Sequence, residues 1–394
     1  MEKKTIRDID VKNKRVFVRA DLNVPLDDEG NITDETRIIS SLPTIQYLIK
    51  NNAKIILASH LGRPKGKFVE KLKMDPIAKA LEKHLAKEVK KMDQVMSSKV
   101  KNEVRKLKSG DVLLLENLRF DKRERDNDND FSKELAELAD VYVNDAFGTS
   151  HREHASMIGI CKYIPSIMGF LLEKELNTFF SLLKESEHPF VVILGGSKIS
   201  DKLGVVRNLL KVVDTILAGG GMCYTFLKSI GFEIGKSLLE EEMIEYCKQV
   251  LDEFRNEGKK FLLPEDIVVA EEFKKDSVFK TVQIDKIPKD WLGLDIGQKT
   301  IDKYKDEILK AKTIFWNGPM GVFEWESFEK GTKEIAIAIT ESKAESVVGG
   351  GDTIAAIKKY NVADKIGYIS TGGGVSLKFL EGVKLPAVEA LINK

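Results

Sequence analysis

Phe190-Val-Val-Ile-Leu-Gly-Gly-Ser-Lys-Ile-Ser-Asp-Lys202 is the stretch on which the reading of the fold turns. Its first five residues are apolar, mostly β-branched and too few for a helix, so they read as a buried strand. Gly195 and Gly196 then let the backbone turn and leave its amides uncovered by any Cβ. Lys198 and Lys202 follow four apart, on one face of a helix if one starts here. A strand, a bare turn and two cations at a helix start together suit a phosphate. A charged surface turn would have the same composition.

Upstream, short apolar runs alternate with helical patterns. Val16–Val18, Ile55–Ala58, Val112–Leu115 and Val141–Val143 are strand-like, while Ile38, Leu42, Ile45 and Ile49 recur at helical spacing. Ile77, Leu81 and Leu85 mark a second helix, and Leu135 and Leu138 a third. Such βα alternation implies a parallel sheet covered on both faces. Ligands of such sheets bind at the carboxyl ends of the strands, and there this half places cations. Ten of the 12 arginines lie at or before Arg152, and Arg37, Arg63, Arg119 and Arg152 follow predicted strand ends. A guanidinium grips carboxylate or phosphate bidentately, so these four read as a site for one small polyanion. Arg105, Arg123 and Arg125 sit among acidic residues and read as surface ion pairs. The 167–183 segment carries Leu172, Leu176, Phe179 and Leu183 at helical spacing and reads as a rigid helix joining two halves.

Downstream, every strand-like run ends in glycine. Thr215–Ala218 leads to Gly219 and Gly220, Thr313–Trp316 to Asn317-Gly-Pro-Met-Gly321, Ser346–Val348 to Gly349-Gly-Gly-Asp352, and Tyr368–Ser370 to Thr371-Gly-Gly-Gly374. Turn chemistry alone needs fewer glycines, so this half is expected to hold something large and flat against bare main chain. Asp352 and Ser376 could cap the next two helices; Asp352 could equally hold Mg²⁺ beside substrate phosphates.

Several function classes are excluded. Lys+Arg 63 against Asp+Glu 62 leaves a net charge of +1, with no field to attract nucleic acid or an anionic membrane. Cys161, Cys223 and Cys247 show no paired spacing, as expected of a reduced cytoplasmic protein. No run approaches the roughly 20 apolar residues of a membrane span, and the first residues lack the apolar core of a signal peptide. A nicotinamide dehydrogenase would need a GxGxxG after a strand, which is missing, and would leave Lys198 and Lys202 idle. An RNA-binding protein would carry more positive charge. Gly231-Phe-Glu-Ile-Gly-Lys-Ser237 is one residue short of a Walker loop. His151 and His154 lack a third metal ligand, and His84 and His188 read as structural. No nucleophilic triad and no catalytic base stand out. That suits a carboxylate acceptor, which ionises near pH 4 (roughly), is charged at neutral pH and attacks a phosphoryl group directly.

In this order, Asp21-Leu-Asn-Val-Pro25, Ser59-His-Leu-Gly-Arg-Pro64, Glu116-Asn-Leu-Arg-Phe120, Asn144-Asp-Ala-Phe-Gly-Thr-Ser-His-Arg152, Gly195-Gly-Ser-Lys198, Trp316-Asn-Gly-Pro319, Gly349-Gly-Gly-Asp352 and Ser370-Thr-Gly-Gly-Gly374 make the chain resemble phosphoglycerate kinases over essentially its whole length. The resemblance implies reversible phosphoryl transfer between ATP, with Mg²⁺, and 3-phosphoglycerate, giving ADP and 1,3-bisphosphoglycerate. It implies a cytoplasmic monomer of two Rossmann-like α/β domains, each a mainly parallel sheet flanked by helices, joined by a central helix. Residues 1–166 would bind phosphoglycerate, 184–382 the nucleotide, and the tail 383–394 would pack back on the first domain. By motif, Asp21, Leu22, Asn23, Arg37, His60, Leu61, Gly62, Arg63, Arg119 and Arg152 would hold phosphoglycerate. Gly195, Gly196, Lys198, Lys202, Gly219, Gly220, Gly293, Leu294, Asn317, Glu324, Gly351, Asp352, Thr353 and Ile354 would hold the nucleotide, Glu324 facing the ribose. Arg37, Lys198, Lys202 and the amides around Gly373 and Gly374 would stabilise the transferring group. Leu22, Ser197 and Ala387 depart from the residues common in that family; only Ala387 bears on structure, through the turn of the tail.

Overall fold

The computed structural model describes residues 2–394. The chain divides into two units, one running up to Thr178 and taking in Lys384–Lys394, the other Phe179–Val383. The division falls inside one continuous helix, Phe170–Lys184.

The first unit is built on β1 (Arg15–Ala20), β2 (Lys54–Ala58), β3 (Val89–Lys91), β4 (Val112–Leu114), β5 (Val141–Asp145) and β6 (Ser166–Met168). They form one sheet in the order β3-β4-β2-β1-β5-β6, every pair parallel. Val18 lies opposite Leu57 on one side and Val143 on the other, and all three are fully buried. Continuous apolar strands are stable only when both sheet faces are covered. Helix Thr36–Lys50 supplies part of that cover through Ile38, Ile45 and Leu48. From β1 the chain adds strands first on one side and, from β5, on the other. The loops after β1 and β5 therefore diverge and leave a crevice at the carboxyl end of the sheet.

The second unit contains β7 (Phe190–Leu194), β8 (Thr215–Ala218), β9 (Lys260–Leu262), β10 (Asp266–Ala270), β11 (Phe279–Gln283), β12 (Leu292–Ile296), β13 (Thr313–Asn317), β14 (Glu345–Gly349) and β15 (Tyr368–Ile369). Six of them make a parallel sheet ordered β15-β14-β13-β7-β8-β9. Strands β11-β10-β12 form a separate antiparallel sheet. Here the order reverses between β7 and β13, whose five residues each are all buried.

The predicted strands and helices are present, with corrections. The joining helix does not begin at residue 167: Ser166–Met168 pairs with β5, Ile167 opposite Val143, and the helix is Phe170–Lys184. Leu138 lies beyond the third helix, which ends at Ala136. The short strands β3, β6 and β9 and the antiparallel sheet were not anticipated. Three residues carry no period, and β11 is largely exposed. In the tail, Ala387 donates its N–H to Ser150 O (3.1 Å) and Ile392 to Ser166 O (2.9 Å). Ala387 is fully buried within the short helix Pro386–Glu389 and has no left-handed φ, so glycine is not needed there. Among the described residues, no helix is long and apolar enough to cross a membrane.

Candidate active site

In the first unit, cations gather where β1, β2 and β4 end. Arg19 is wholly buried in β1. Its Nε donates to Ser156 Oγ (3.0 Å), one terminal nitrogen to the Ala20 carbonyl, and Nη2 to Nδ1 of His60 (3.2 Å). Ser156 in turn donates its hydroxyl (2.6 Å) and its N–H (3.0 Å) to the buried carboxylate of Glu124. Arg37 pairs with the buried Asp21, and Arg119 donates to the Gly62 carbonyl (2.8 Å).

These charges act on one another. Burial, then the charges of Arg19, Arg119 and Arg37, hold His60 well below the ordinary histidine pKa. Burial and then Arg19 bring Arg119 down to about 10, and burial, Arg19 and Arg119 bring His154 down to about 4. Both imidazoles are therefore neutral at pH 7. Positive charge crowded at this density calls for an anion. Asp21 Oδ1 and Arg119 Nε are buried without a hydrogen-bond partner among the described residues. A buried polar atom left unmade costs about 1–3 kcal/mol, so both are atoms a ligand would satisfy.

Of the other expected residues, Arg152 is exposed but its charge acts on Arg119 and His154. Arg63 is exposed in the loop after β2, and among the described residues no hydrogen bond or ion pair ties it to the cluster. Leu22, Asn23, Leu61 and Gly62 hold the loops together. Leu22 N–H donates to Ser59 Oγ (2.9 Å), and Gly62 N–H to Asn23 Oδ1 (2.8 Å). The buried Asn117 accepts from the N–H of Leu61 (3.2 Å) and of Arg119 (3.1 Å), and donates to the carbonyls of Leu61 (2.8 Å) and Leu72 (2.9 Å). One amide thus locks the His60 loop to the Arg119 loop. Arg123 forms the surface ion pairs expected of it, with Asp121 and Glu134, whereas Arg105 and Arg125 form none among the described residues. His84 pairs with Glu35 (2.7 Å) and His188 with Asp214 (2.6 Å).

In the second unit, Lys202 lies just beyond β7 and Asn317 ends β13, the two strands that flank the switch in strand order. Lys202 Nζ donates to Asn317 Oδ1 at 2.6 Å. Burial lowers this ammonium to about 8, against the opposing charges of Asp201 and Asp352. It has one hydrogen bond where three could form, and Asn317 Nδ2 is buried without a partner among the described residues. Lys198 is exposed and precedes the short turn Ser200–Lys202; the helix starts only at Leu203. The two lysines therefore do not share a helix face, as the four-residue spacing suggested.

Beside them opens a cavity of about 460 Å³ bordered by Gly196, Gly220, Gly293, Leu294, Glu324 and Asp352. Tyr224, Phe273, Met320 and Val322 give it apolar walls, a shape that admits a flat ring. Helix Gly351–Lys359 starts beside Asp352 in sequence, and helix Gly374–Leu380 follows the last strand. Their N-cap positions are Gly350 (φ +93°) and Gly373 (φ +56°), which have no side chain of their own to cap the first amides. Asp352 and Ser376 are thus inside the helices, not caps. Asp352 is in the first turn, and Ser376 Oγ is 2.8 Å from Ser370 Oγ. Helix starts whose N-cap carries no side chain suit an anion. Thr353 instead accepts the Gly318 N–H (2.7 Å), and Ile354 is partly buried.

The strand-end glycines, expected to make room for a ligand, fall into two groups. A Cβ on Gly195 would lie 2.0 Å from Pro319 O, one on Gly219 2.6 Å from Met320 Sδ, and one on Gly220 2.6 Å from Gly196 N. Those three let neighbouring loops pack on each other. At Gly351, Gly373 and Gly374 a Cβ would meet nothing within 4 Å, so there the backbone borders open space.

Residues 6–383 match the family model described as phosphoglycerate kinase. The chain belongs to the phosphoglycerate kinase family. It is 52% identical to phosphoglycerate kinase of Dictyoglomus turgidum, covering 100% of both chains, and 51% identical to that of Thermosipho africanus, covering 100% of this chain and 99% of the other. The solved phosphoglycerate kinase of Coxiella burnetii superposes with a TM-score of 0.88 at 39% identity, and that of Pyrococcus horikoshii with 0.85 at 35%, each over 98% of both chains. The family's reaction, ATP-dependent phosphoryl transfer involving 3-phosphoglycerate in glycolysis, is thereby the activity of this chain.

Reading the sequence missed Arg19, Ser156, Glu124 and Tyr224. The signal for Arg19 was a charge within the otherwise apolar run Val16–Ala20. Glu124 was hidden among Arg123, Arg125 and their acidic neighbours. The rejected Walker-like stretch does border the cavity: Lys236 lines it, and Ser237 Oγ accepts the Gly293 N–H (2.9 Å).

Proposed function

We propose that the first unit holds 3-phosphoglycerate, the second holds the nucleotide, and the substrate carboxylate attacks the γ-phosphoryl directly. The carrying observation is that buried polar atoms without partners stand beside both sets of cations, Asp21 Oδ1 and Arg119 Nε in one unit and Asn317 Nδ2 in the other, among others elsewhere in the described residues. Asp21 would accept a hydrogen bond from the substrate hydroxyl, since a carboxylate there repels a phosphate. Arg37, Arg119, Arg152 and the neutral His60 would donate to the phosphate and carboxylate. In the second unit, the apolar walls would enclose the base, with Glu324 at the ribose. Lys202, Lys198 and the open amides at Gly351, Gly373 and Gly374 would surround the phosphates.

No general base is needed. Asp21 pairs with Arg37 through one oxygen, Glu124 accepts from Ser156, and burial with the neighbouring guanidinium charges makes His60 and His154 poor proton acceptors. The acceptor carboxylate is already ionised at neutral pH. Catalysis then consists of positioning and stabilising charge on the transferring group. Asp352 is an exposed carboxylate on the cavity wall, and no group of three His, Cys, Asp or Glu able to hold a metal occurs among the described residues. That fits Mg²⁺ held by one carboxylate and the nucleotide phosphates; when bound it would neutralise phosphate charge. Two substrates on two units would have to be brought together for in-line attack, which also excludes water from an acyl phosphate.

Calorimetric titration of variants tests the partition. Arg119→Ala should lose 3-phosphoglycerate affinity and keep ATP affinity, and Lys202→Ala the reverse. Both ligands weakening equally in both variants would sink the assignment.

A further inference from the structure

We propose that Arg19 is a positioning residue that donates into Nδ1 of His60 and so leaves the imidazole proton on Nε2, making His60 a neutral donor to the substrate. This rests on placing 3-phosphoglycerate in the first unit. It assigns a role to a buried residue outside the set expected to touch substrate.

Valence decides the tautomer. A guanidinium has five N–H donors, no acceptor and no accessible neutral form. The 3.2 Å contact between Arg19 Nη2 and His60 Nδ1 can therefore be a hydrogen bond only if Nδ1 carries a lone pair. A neutral ring then bears its single proton on Nε2. An imidazolium would set one N–H against another, beside a cation.

Arg19 cannot swing away to relieve such a clash. Its Nε is held by Ser156 Oγ and another nitrogen by the Ala20 carbonyl. Ser156 Oγ accepts from Arg19, so its own proton goes to Glu124 Oε1, which accounts for the short 2.6 Å contact. The chain Glu124–Ser156–Arg19–His60 thus has a fixed pattern of donation, with Arg19 donating at both ends and Nδ1 accepting. The groups acting on His60 agree: the charges of Arg19, Arg119 and Arg37, and His154 as well, all oppose protonation. Of the nearby acids, Asp21 is paired with Arg37 and Glu124 with Ser156. Nε2 makes no hydrogen bond within the described protein, and His60 keeps 4% of its surface exposed. Its N–H is left for a ligand oxygen.

The experiment is nitrogen-15 NMR of the histidine side chains in the full-length protein from pH 5 to 8, with His60 assigned by its loss in His60→Gln. The expected spectrum has His60 Nδ1 unprotonated and Nε2 protonated throughout, with no titration. Arg19→Met should free Nδ1, so that the proton spreads between the two ring nitrogens, while burial, Arg119 and Arg37 still oppose protonation and keep the ring neutral. It should weaken 3-phosphoglycerate at least about tenfold, with ATP affinity unchanged. Arg19→Lys, also a pure donor, should restore the Nε2–H form. A proton on Nδ1 in the wild type, or a wild-type titration near the ordinary value of about 6.5, overturns the inference, and this spectrum needs no variant to fold. Adding 3-phosphoglycerate should shift the Nε2 resonance. The predicted tautomer without that response overturns instead the placement of the substrate, and with it the purpose assigned to Nε2.

Discussion

The two groups of glycines make a prediction that sequence pattern alone would not. Gly195 and Gly351 both follow strands and both precede helices, yet alanine should act oppositely at each. At Gly195 the new methyl would lie 2.0 Å from Pro319 O, 2.6 Å from Gly318 O and 2.7 Å from Pro319 C, all main-chain atoms that cannot swing aside. Overpacking of this kind costs typically about 1–3 kcal/mol, and a clash with backbone belongs at the upper end. Reduced freedom of the unfolded chain returns about 0.4–1 kcal/mol. Gly195→Ala should therefore lose about 2 kcal/mol of stability. At Gly351 nothing lies within 4 Å and φ is not left-handed, so Gly351→Ala should keep or gain up to about 1 kcal/mol. Its methyl would, however, stand where the nucleotide phosphates are placed, raising the KM for ATP about tenfold or more. All three tryptophans, Trp291, Trp316 and Trp325, belong to the second unit, so urea unfolding followed by tryptophan fluorescence reads that unit. A destabilised Gly351→Ala, or one with unchanged ATP kinetics, would refute the reasoning.

Lys202, lowered to about 8 by burial, is charged below that pH and neutral above it. The kcat/KM for ATP should fall as pH rises through about 8, and Lys202→Arg should remove that alkaline limb; an unchanged limb would count against the role. Burial raises Asp295 to about 8, so the folded chain keeps a proton that the unfolded chain releases above about 4. Its stabilising contribution is full below about pH 4 and lost as pH rises through about 8, with a slope of up to about 1.4 kcal/mol per pH unit. Asp295→Asn should flatten that slope in urea unfolding, and identical slopes would contradict it. Asn117→Ala would strand four main-chain partners at about 1–3 kcal/mol each. It should raise the KM for 3-phosphoglycerate more than that for ATP, an equal rise being the contrary result. If the units close on their substrates as proposed, with hinges at the ends of helix Phe170–Lys184 and near Ser370–Gly374, small-angle scattering should show compaction when both substrates are bound, and no compaction would count against closure.

Much of this was legible in the residues because parallel sheets write themselves as uniform apolar runs. Val16–Val18 and Phe190–Leu194 could be little else, and the loop after a parallel strand lies at the ligand edge. Arg37 and Arg119 stood out because lysine is this chain's usual base. The rest depends on contacts distant in sequence. Nothing local says that Gly195 faces Pro319 O while Gly351 faces open space, or that Ser156 and His60 meet Arg19. Lys198 and Lys202 obeyed helical spacing, but the chain turns before its helix begins at Leu203. The antiparallel sheet was silent because β11 is exposed and polar on most of its length.

The most direct test is phosphorus NMR of the purified protein with Mg·ATP and 3-phosphoglycerate, drawn forward by hydroxylamine to trap the acyl phosphate, with Arg37→Ala alongside. ADP and trapped acyl product are expected from the wild type, and their loss in the variant. A wild type that binds both substrates yet transfers nothing would contradict direct attack by the substrate carboxylate.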